Sequence, residues 1–414
     1  MAQKMADLAY HYGLKVRIFP STKQKRTIDN NINASRFAYN EMVAIDKELF
    51  ALSHVKTPIS IVQDRIAYLN RRKNNTQMLF AIHPWLAGTG IGTDVIDQAR
   101  RAYQSAWRSF RQVHRSGVPV FHHKRADGSY QLPTRYTKLG VGLMNGSNRF
   151  LDQKHVTISG LGKIRVSGSQ KRLFSHMKDI RIGTVTVRRD ATDRYYLSMQ
   201  LGSNTPFVST GKAIQSAIGI DLNTENFLTD SDGNVVANPR YYRAIRGKLA
   251  QQQRKLARRA LRAKKEHRPL RDAKNYQKQR VLIANLQREV ANRRNAFLHL
   301  VSTALIKNHD LVVAEELRSK NMLRNHALAM SIADVGWRTF LGMLTYKAAL
   351  YGRKLVTVNP RNTTQTCSDC GFVLMGEQKL TLADRKWTCP YCGTYHIRDH
   401  NAAKNILAKG LALN

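Results

Sequence analysis

Three acidic residues, Asp221, Glu315 and Asp399, and four cysteines, Cys367, Cys370, Cys389 and Cys392, are the side chains of this 414-residue sequence whose types and spacing could do chemistry. The cysteines fall as two Cys-x-x-Cys pairs separated by eighteen residues. Thiolates so paired can each turn back onto one ion, which is the pattern of a tetrahedral Zn²⁺ site. Asp221 ends a strand reading Ala217-Ile218-Gly219-Ile220-Asp221, Glu315 ends Leu311-Val312-Val313-Ala314-Glu315, and Asp399 stands where a last helix begins. A carboxylate at the end of a buried strand is costly unless it meets a cation or hydrogen-bond donors. Two such strands in one sheet, with a helix start nearby, can gather three carboxylates on Mg²⁺ or Mn²⁺, hard ions that prefer oxygen ligands. Two ions about 4 Å apart would activate a water and stabilise the leaving oxygen of a phosphodiester. Each acid also has a plainer reading. Asp399 could be a helix N-cap, and Glu316 beside Glu315 leaves open which of the two points inward. The order strand-Asp, strand-Glu, helix-Asp is more specific than any one member.

The charge balance names a class of partner. Lys and Arg number 68 against 28 Asp and Glu, a formal +40, while the 42% hydrophobic content is ordinary for a soluble protein. Such an excess repels itself unless it meets a polyanion, so nucleic acid is expected. An anionic membrane surface is the plain alternative, but neither an amphipathic anchor nor a lipidation signal is evident. The longest segment free of Lys, Arg, Asp and Glu, Asn74 to Thr93, contains Pro84 and three glycines and makes a poor membrane span. With no secretory signal and cysteines in metal-type pairs, a cytoplasmic, nucleoid-associated location is expected.

The elements that must position these residues follow from periodicity. Gly13 to Phe19 alternates as a strand and stops at Pro20; Ser21 to Leu52 reads as a helix. In Asp94 to Arg115, Ile96, Ala99, Tyr103, Ala106, Phe110 and Val113 form one apolar stripe, with Arg100, Arg101, Arg108, Arg111 and Arg115 largely outside it. That basic face is either solvated or set against phosphates. Beyond Pro119 the texture becomes short strands, with Val156 to Val166 folding over Gly160-Leu161-Gly162 and a hairpin from Val185 to Leu197. This predicts a β-rich module with a helical block, 21–118, inserted after its first strand. From Ala217 the pattern is mixed α/β. Arg243 to Arg294 carries eighteen Lys or Arg against Glu266, Asp272 and Glu289. Leu249, Leu256, Leu261, Leu282, Ile283 and Leu286 supply its apolar positions, so a helical hairpin broken near Pro269 is predicted, with one side facing nucleic acid. A strand at Leu311–Glu315, a helix bearing Trp337, Phe340, Leu341, Leu344 and Ala348, and a strand at Lys354–Val358 precede the cysteine pairs.

These residues resemble those of TnpB, the RNA-guided, RuvC-type DNA endonuclease family of bacterial insertion sequences, related to the compact type V CRISPR effectors. The resemblance rests on Gly219-Ile220-Asp221, on Ala314-Glu315-Glu316-Leu317 with Asn321-Met322, on the cysteine pairs, and above all on Arg398-Asp399-x-Asn401-Ala402-Ala403-x-Asn405-Ile406. It extends to Asn292-Arg293-Arg294-x-x-Phe297-Leu298-His299 and, with weaker matches toward the N-terminus, to Ser35-Arg36-Phe37-Ala38-Tyr39-Asn40 and Gly117-x-Pro119-x-Phe121. It implies a multidomain α+β architecture: a wedge module (1–20 and 119–212) with a helical recognition insertion (21–118), then an RNase H-like (RuvC) nuclease domain (213–366 and 395–414). That nuclease domain would contain the basic hairpin 243–294 and an inserted four-Cys zinc module (367–394). It further implies that Asp221, Glu315 and Asp399 bind Mg²⁺ or Mn²⁺ and cut DNA, with Glu315 selected by its place two before Leu317. The four cysteines would hold structural Zn²⁺. The partners would be a guide RNA from the element's own end and double-stranded DNA beside a short adjacent motif, with one protein chain in the ribonucleoprotein. Sequence choice would rest on guide–target pairing. Arg36, Tyr39, Asn40, Arg254, Arg258, Arg293 and Arg294 are the nucleic-acid-contact candidates. Ile397 departs from the acidic residue common in relatives two positions before the last Asp, and the sequence stops at Asn414 without the long tail of some relatives. A guided repressor without nuclease activity, a transposase and a CRISPR-type effector of the same fold are the alternatives. The intact acidic set argues against the first, and the zinc module between Glu315 and Asp399 against the second.

Overall fold

The computed structural model describes residues 4–56, 59–87, 90–113, 116–136, 142–168, 170–175, 179–208, 215–223, 225–316, 336–381 and 383–413. Arg115, Leu317, Asn321 and Met322 lie outside them. The chain divides into two compact units, Met1–Phe207 and Val208–Asn414.

The first unit is built on a seven-stranded antiparallel sheet: β1 (Tyr10–Phe19), β2 (Gly128–Leu132), β3 (Arg149–Asp152), β4 (His155–Ile158), β5 (Gly162–Val166), β6 (Arg181–Arg189) and β7 (Tyr195–Ser203), in the order β2-β6-β7-β1-β5-β4-β3. The first strand therefore lies between two much later ones, pairing with both β7 and β5. Helices α1 (Thr22–Ser53), α2 (Ser60–Asn74), α3 (Thr76–Ile82) and α4 (Thr93–Gln112) intervene between β1 and β2, and a short α5 (Lys171–Phe174) follows β5. Ser21 caps α1 and Gln24 reaches back to it, a capping box that starts a 32-residue helix immediately after Pro20. The apolar stripe of α4 is buried only in its first half. Ile96, Ala99 and Tyr103 are in the core, whereas Phe110 and Val113 are exposed. Arg100, expected on a basic face, instead donates to Thr76 and to the Lys73 carbonyl inside the bundle.

The second unit holds a five-stranded sheet in the order β10-β9-β8-β11-β12, formed by β8 (Ala217–Asp221), β9 (Asn226–Asp230), β10 (Val235–Ala237), β11 (Leu311–Glu315) and β12 (Lys354–Val358). Strands β8, β11 and β12 run parallel; β9 runs antiparallel to β8, and β10 antiparallel to β9. Between β10 and β11 come α6 (Tyr241–Lys265) and α7 (Lys274–Asn308); α8 (Trp337–Tyr351) precedes β12. A small hairpin, β13 (Lys386–Thr388) with β14 (Tyr395–Ile397), leads straight into α9 (Arg398–Leu411).

Both faces of this sheet are covered, which is why its parallel strands read as continuous apolar runs. Ile218, Ile220, Val312 and Ala314 pack with Leu298, Phe340 and Leu344 of α7 and α8 on one face. Leu311, Val313 and Ile406 of α9 pack on the other. The basic hairpin has only one seam, so Leu249 and Ile283 are buried while Leu261 and Leu282, expected to be apolar contacts, lie in water. No helix among the described residues is long and apolar enough to cross a membrane.

Lys347 on α8 is 5% exposed and, among the described residues, faces no carboxylate. Its ammonium donates to Ser302 Oγ and Thr303 Oγ1, each at 2.7 Å, and to the His299 carbonyl at 2.8 Å. Burial pushes its pKa down to about 8. A folded-state value below the ordinary one means that stability is gained as pH rises from about 8 toward the unfolded value near 10.4. Urea unfolding of Lys347→Met should lack that alkaline rise, and at pH 7 the variant should match or exceed the wild type.

Candidate active site and metal centre

The alternation of side chains along a strand places the acids. Asp221 shares parity with Ala217 and Gly219, and Glu315 with Leu311 and Val313, so both point to the face that α9 covers. The parallel register pairs Leu311 with Ala217 and Ala314 with Ile220, so one further step sets Glu315 beside Asp221 at the carboxyl ends of adjacent strands. Glu315 is half-buried; Glu316 is exposed, with its N–H donating to the Val358 carbonyl.

Helix α9 brings the third acid by lying unusually close to the sheet. A Cβ on Gly219 would stand 2.3 Å from the Ala403 carbonyl oxygen and 2.8 Å from Leu407 Cβ. A Cβ on Gly410 would stand 2.4 Å from both methyl groups of Val313. Ala402 and Ala403 are fully buried at this contact. Asn401 and Asn405, one turn apart on α9, fasten the segment that runs from Thr363 into the first cysteine pair. Asn401 Nδ2 donates to the Thr366 carbonyl (2.7 Å) and its Oδ1 accepts from Ser368 N (2.8 Å), while Asn405 donates to Thr363 and Thr366 carbonyls. Thr363 in turn donates its hydroxyl to Glu315. A chain of bonds thus runs from the helix carrying Asp399 to the carboxylate of Glu315.

The electrostatics are those of crowded acids. Burial, then the charges of Glu315 and Asp399, push the Asp221 carboxyl up to about 7. Burial also raises Glu315, offset by the Thr363 hydroxyl and by Lys409. Asp399 has Arg398 Nε at 3.5 Å and Arg385 Nη1 at 3.9 Å; Arg385 also reaches Glu225 at 2.7 Å. Such a set of hard oxygens, one of them forced toward its neutral form, fits a divalent cation. Among the described residues, however, only the cysteine quartet has its ligand atoms all within 4.8 Å of one another, so the carboxylates are not drawn in that far.

The cysteines converge. Cys367 and Cys392 sulfurs are 3.7 Å apart, as are those of Cys370 and Cys389. That separation matches the edge of about 3.8 Å in a tetrahedron with Zn–S near 2.3 Å. Two members, Cys367 and Cys389, are buried with Leu374 and Trp387; the other two are exposed. Replacing Cys389 by Ser should remove the zinc, expected at one per chain by metal analysis, and lower the soluble yield.

The nucleic-acid candidates are placed unequally. Arg36 lines a basic cleft of about 1010 Å³ in the first unit with Lys47, Lys124 and Arg125. Tyr39 borders the same cleft but is buried, its ring stacked on His122 at 4.0 Å. Asn40 is engaged with the backbone of His122, as donor at 2.9 Å and acceptor at 2.7 Å. Arg254 and Arg258 are exposed on α6; Arg293 pairs with Glu289 one turn away at 2.7 Å, and Arg294 is half-buried. Sequence reasoning gave no role to Thr363, Arg385 or His396. Asn401 and Asn405 carried a signal in their spacing of four, which puts them on one side of a helix.

Comparison with known proteins identifies relatives along most of the chain. A family model described as "Probable transposase" (OrfB_IS605) matches residues 200–326, and one described as "Cas12f1-like, TNB domain" matches 337–406. A 'TnpB-like protein L79' of Acanthamoeba polyphaga mimivirus is 28% identical over 234 residues, covering 55% of this chain and 43% of its own. InsQ of Escherichia coli K12, named a "Putative RNA-guided DNA endonuclease", is 26% identical, with 96% of this chain and 92% of the relative covered. A protein of Streptomyces pristinaespiralis with the same description is 30% identical over 399 residues, covering 96% of this chain and 89% of the relative. The chain belongs to the TnpB family. Among solved structures, the Cas12f1 chain of a complex with sgRNA and target DNA shares the fold at a TM-score of 0.55 and 12% identity, covering 96% of this chain and 98% of that one. A third model, described as "Helix-turn-helix domain", matches residues 11–53. In this TnpB member the segment is instead a strand followed by one continuous helix.

Proposed function

We propose that this chain is an RNA-guided DNA endonuclease of a transposable element, with Asp221, Glu315 and Asp399 as its cutting site. The observation that carries the reading is their convergence. Two parallel strands and a helix start set three carboxylates at one end of the sheet, where burial first, and then the charges of Glu315 and Asp399, drive Asp221 toward its neutral form. The sheet order, third-second-first-fourth-fifth along the chain with the first three strands antiparallel, supports an RNase H-like (RuvC) core of residues 213–366 and 395–414. Residues 367–394 form its zinc module. Pairing of β1 with β5 and β7 supports one wedge module from residues 1–20 and 119–212, with 21–118 as a recognition insertion.

Mg²⁺ or Mn²⁺ bound by the three carboxylates supplies water activation and stabilisation of the leaving oxygen. The protein's own contribution is position. The sheet fixes Asp221, Thr363 orients Glu315, and the zinc module and α9 together hold Asp399. Guide RNA and double-stranded DNA are the partners; the relatives' names carry RNA guidance and a DNA target, and the +40 charge here suits both. Retention of all three acids favours cutting over guided repression.

The deciding experiment expresses the gene with its native 3′ flank, sequences the RNA that copurifies, and supplies that guide in cleavage assays with Mg²⁺. One discrete RNA ending in a segment that matches flanking DNA, and cleavage directed by it, is the expected result. A smear of host RNA, or none, with DNA joined rather than cut, would mean a transposase. Affinity for nucleic acid should fall steeply with salt, by about 0.9 log units per log unit of salt for each duplex phosphate neutralised.

A further inference from the structure

We propose that His396 is a fifth functional side chain of the zinc centre, donating a hydrogen bond from Nε2 to the Cys367 thiolate. The inference rests on the zinc reading of the cysteines and concerns what makes that site tenable. One Zn²⁺ with four thiolates carries a net charge of −2, and two of those sulfurs, Cys367 and Cys389, are each only 1% exposed. Buried negative charge needs donors, because water is not there to supply them. Exposed Cys392 has the Thr394 hydroxyl at 3.3 Å. Buried Cys367 has His396, whose Nε2 lies 3.1 Å from its sulfur.

His396 is built into this position. It is 5% exposed, stands directly opposite Trp387 across the β13–β14 pair, and leans on the indole ring at 4.7 Å. That packing fixes the ring and leaves Nε2 aimed at the sulfur, which assigns the proton to Nε2. Among the described residues the four sulfurs alone make the converging cluster, so His396 is a partner of a ligand rather than a ligand itself. Its place in the chain adds a consequence. Only Ile397 separates His396 from α9, and Asp399 is three residues on. The same bond therefore ties the zinc cluster to the strand that delivers a catalytic carboxylate.

Two variants of the full-length protein separate the donor from the packing. His396→Phe keeps a ring against Trp387 and removes the N–H; His396→Gln restores an N–H near the position of Nε2. The readouts are zinc transfer to a chromogenic chelator and the thiolate-to-metal charge-transfer band after Co²⁺ loading. His396→Phe should hold zinc roughly 10–100-fold more weakly, the usual loss when an outer partner of a metal ligand is removed. Its Co²⁺ band should move to lower energy, while His396→Gln stays near the wild type in both. Unchanged zinc affinity and band in His396→Phe would overturn the proposal, as would His396→Gln failing as badly as His396→Phe. Should His396→Phe give no soluble protein, His396→Gln decides: wild-type values support the donor, and tenfold weaker zinc binding overturns it. A wild-type protein without zinc would remove the zinc reading itself, whereas a zinc-loaded wild type with indifferent variants removes only the role of His396.

Discussion

Asp221→Asn should abolish DNA cleavage and, at the same time, make the metal-free protein more stable. The substitution keeps the shape of a side chain only 7% exposed and removes its charge. In the wild type, burial and the neighbouring Glu315 and Asp399 raise the carboxyl to about 7. A folded-state value above the unfolded one means the stabilising contribution is complete below about pH 4 and is lost as pH rises through 7. At pH 8 the metal-free wild type therefore bears the whole cost of the ionised group, and Asp221→Asn does not. We expect a gain on the order of 2 kcal/mol for the variant at pH 8, roughly 4–8 °C in Tm for a unit of this size, shrinking to nothing near pH 4. Mg²⁺ should raise the melting temperature of the wild type more at pH 8 than at pH 6, and leave the variant unmoved. Cleavage should fall roughly 10³-fold or more, because several kcal/mol of transition-state stabilisation depend on the metal. Guide RNA and target binding should survive. A variant that still cuts within tenfold of the wild type, or melts no higher at pH 8, would remove Asp221 from the site.

The second large effect is expected at a residue with no functional group. Gly219→Ala puts a methyl where the Ala403 carbonyl and Leu407 already stand, and both belong to α9 rather than to a flexible side chain. The helix must withdraw from β8, carrying Asp399 away from Asp221 and pulling on the Asn401 and Asn405 bonds that hold the loop of Thr363. Overpacking of this kind costs about 1–3 kcal/mol. A shift near 1 Å at a catalytic group costs about 10²-fold in rate. Denaturant midpoints and single-turnover cleavage measure the two losses separately. Gly342→Ala is the control. That glycine lies exposed on α8 with nothing within 4 Å of a built Cβ, so it should be neutral or gain about 0.5–1 kcal/mol in helix propensity. Equal behaviour of the two variants would mean that α9 does not depend on the close approach.

The sequence by itself determined the local elements and the identity of the chemical groups. The apolar runs of β8 and β11, the helical stretch that follows Pro20 and the spacing of the cysteine pairs are short-range properties, written in neighbouring residues, and each became the expected element or cluster. The order of the three acids was legible for the same reason: each sits at the end of an element whose type is set locally. Other features were decided by packing between segments far apart in the chain. Which of Glu315 and Glu316 turns inward depended on strand parity relative to α9, and a strand buried on both faces gives no sign of its own parity. The roles of Gly219 and Gly410 lie in an approach between β8, β11 and α9, so no spacing within either segment reveals them. Thr363 orients Glu315 from 48 positions away, and His396 reaches Cys367 from 29. The same distance explains the misplaced apolar contacts: Leu261 and Leu282 looked like core because the sequence records how apolar a residue is, but only the tertiary structure decides whether a partner arrives to cover it.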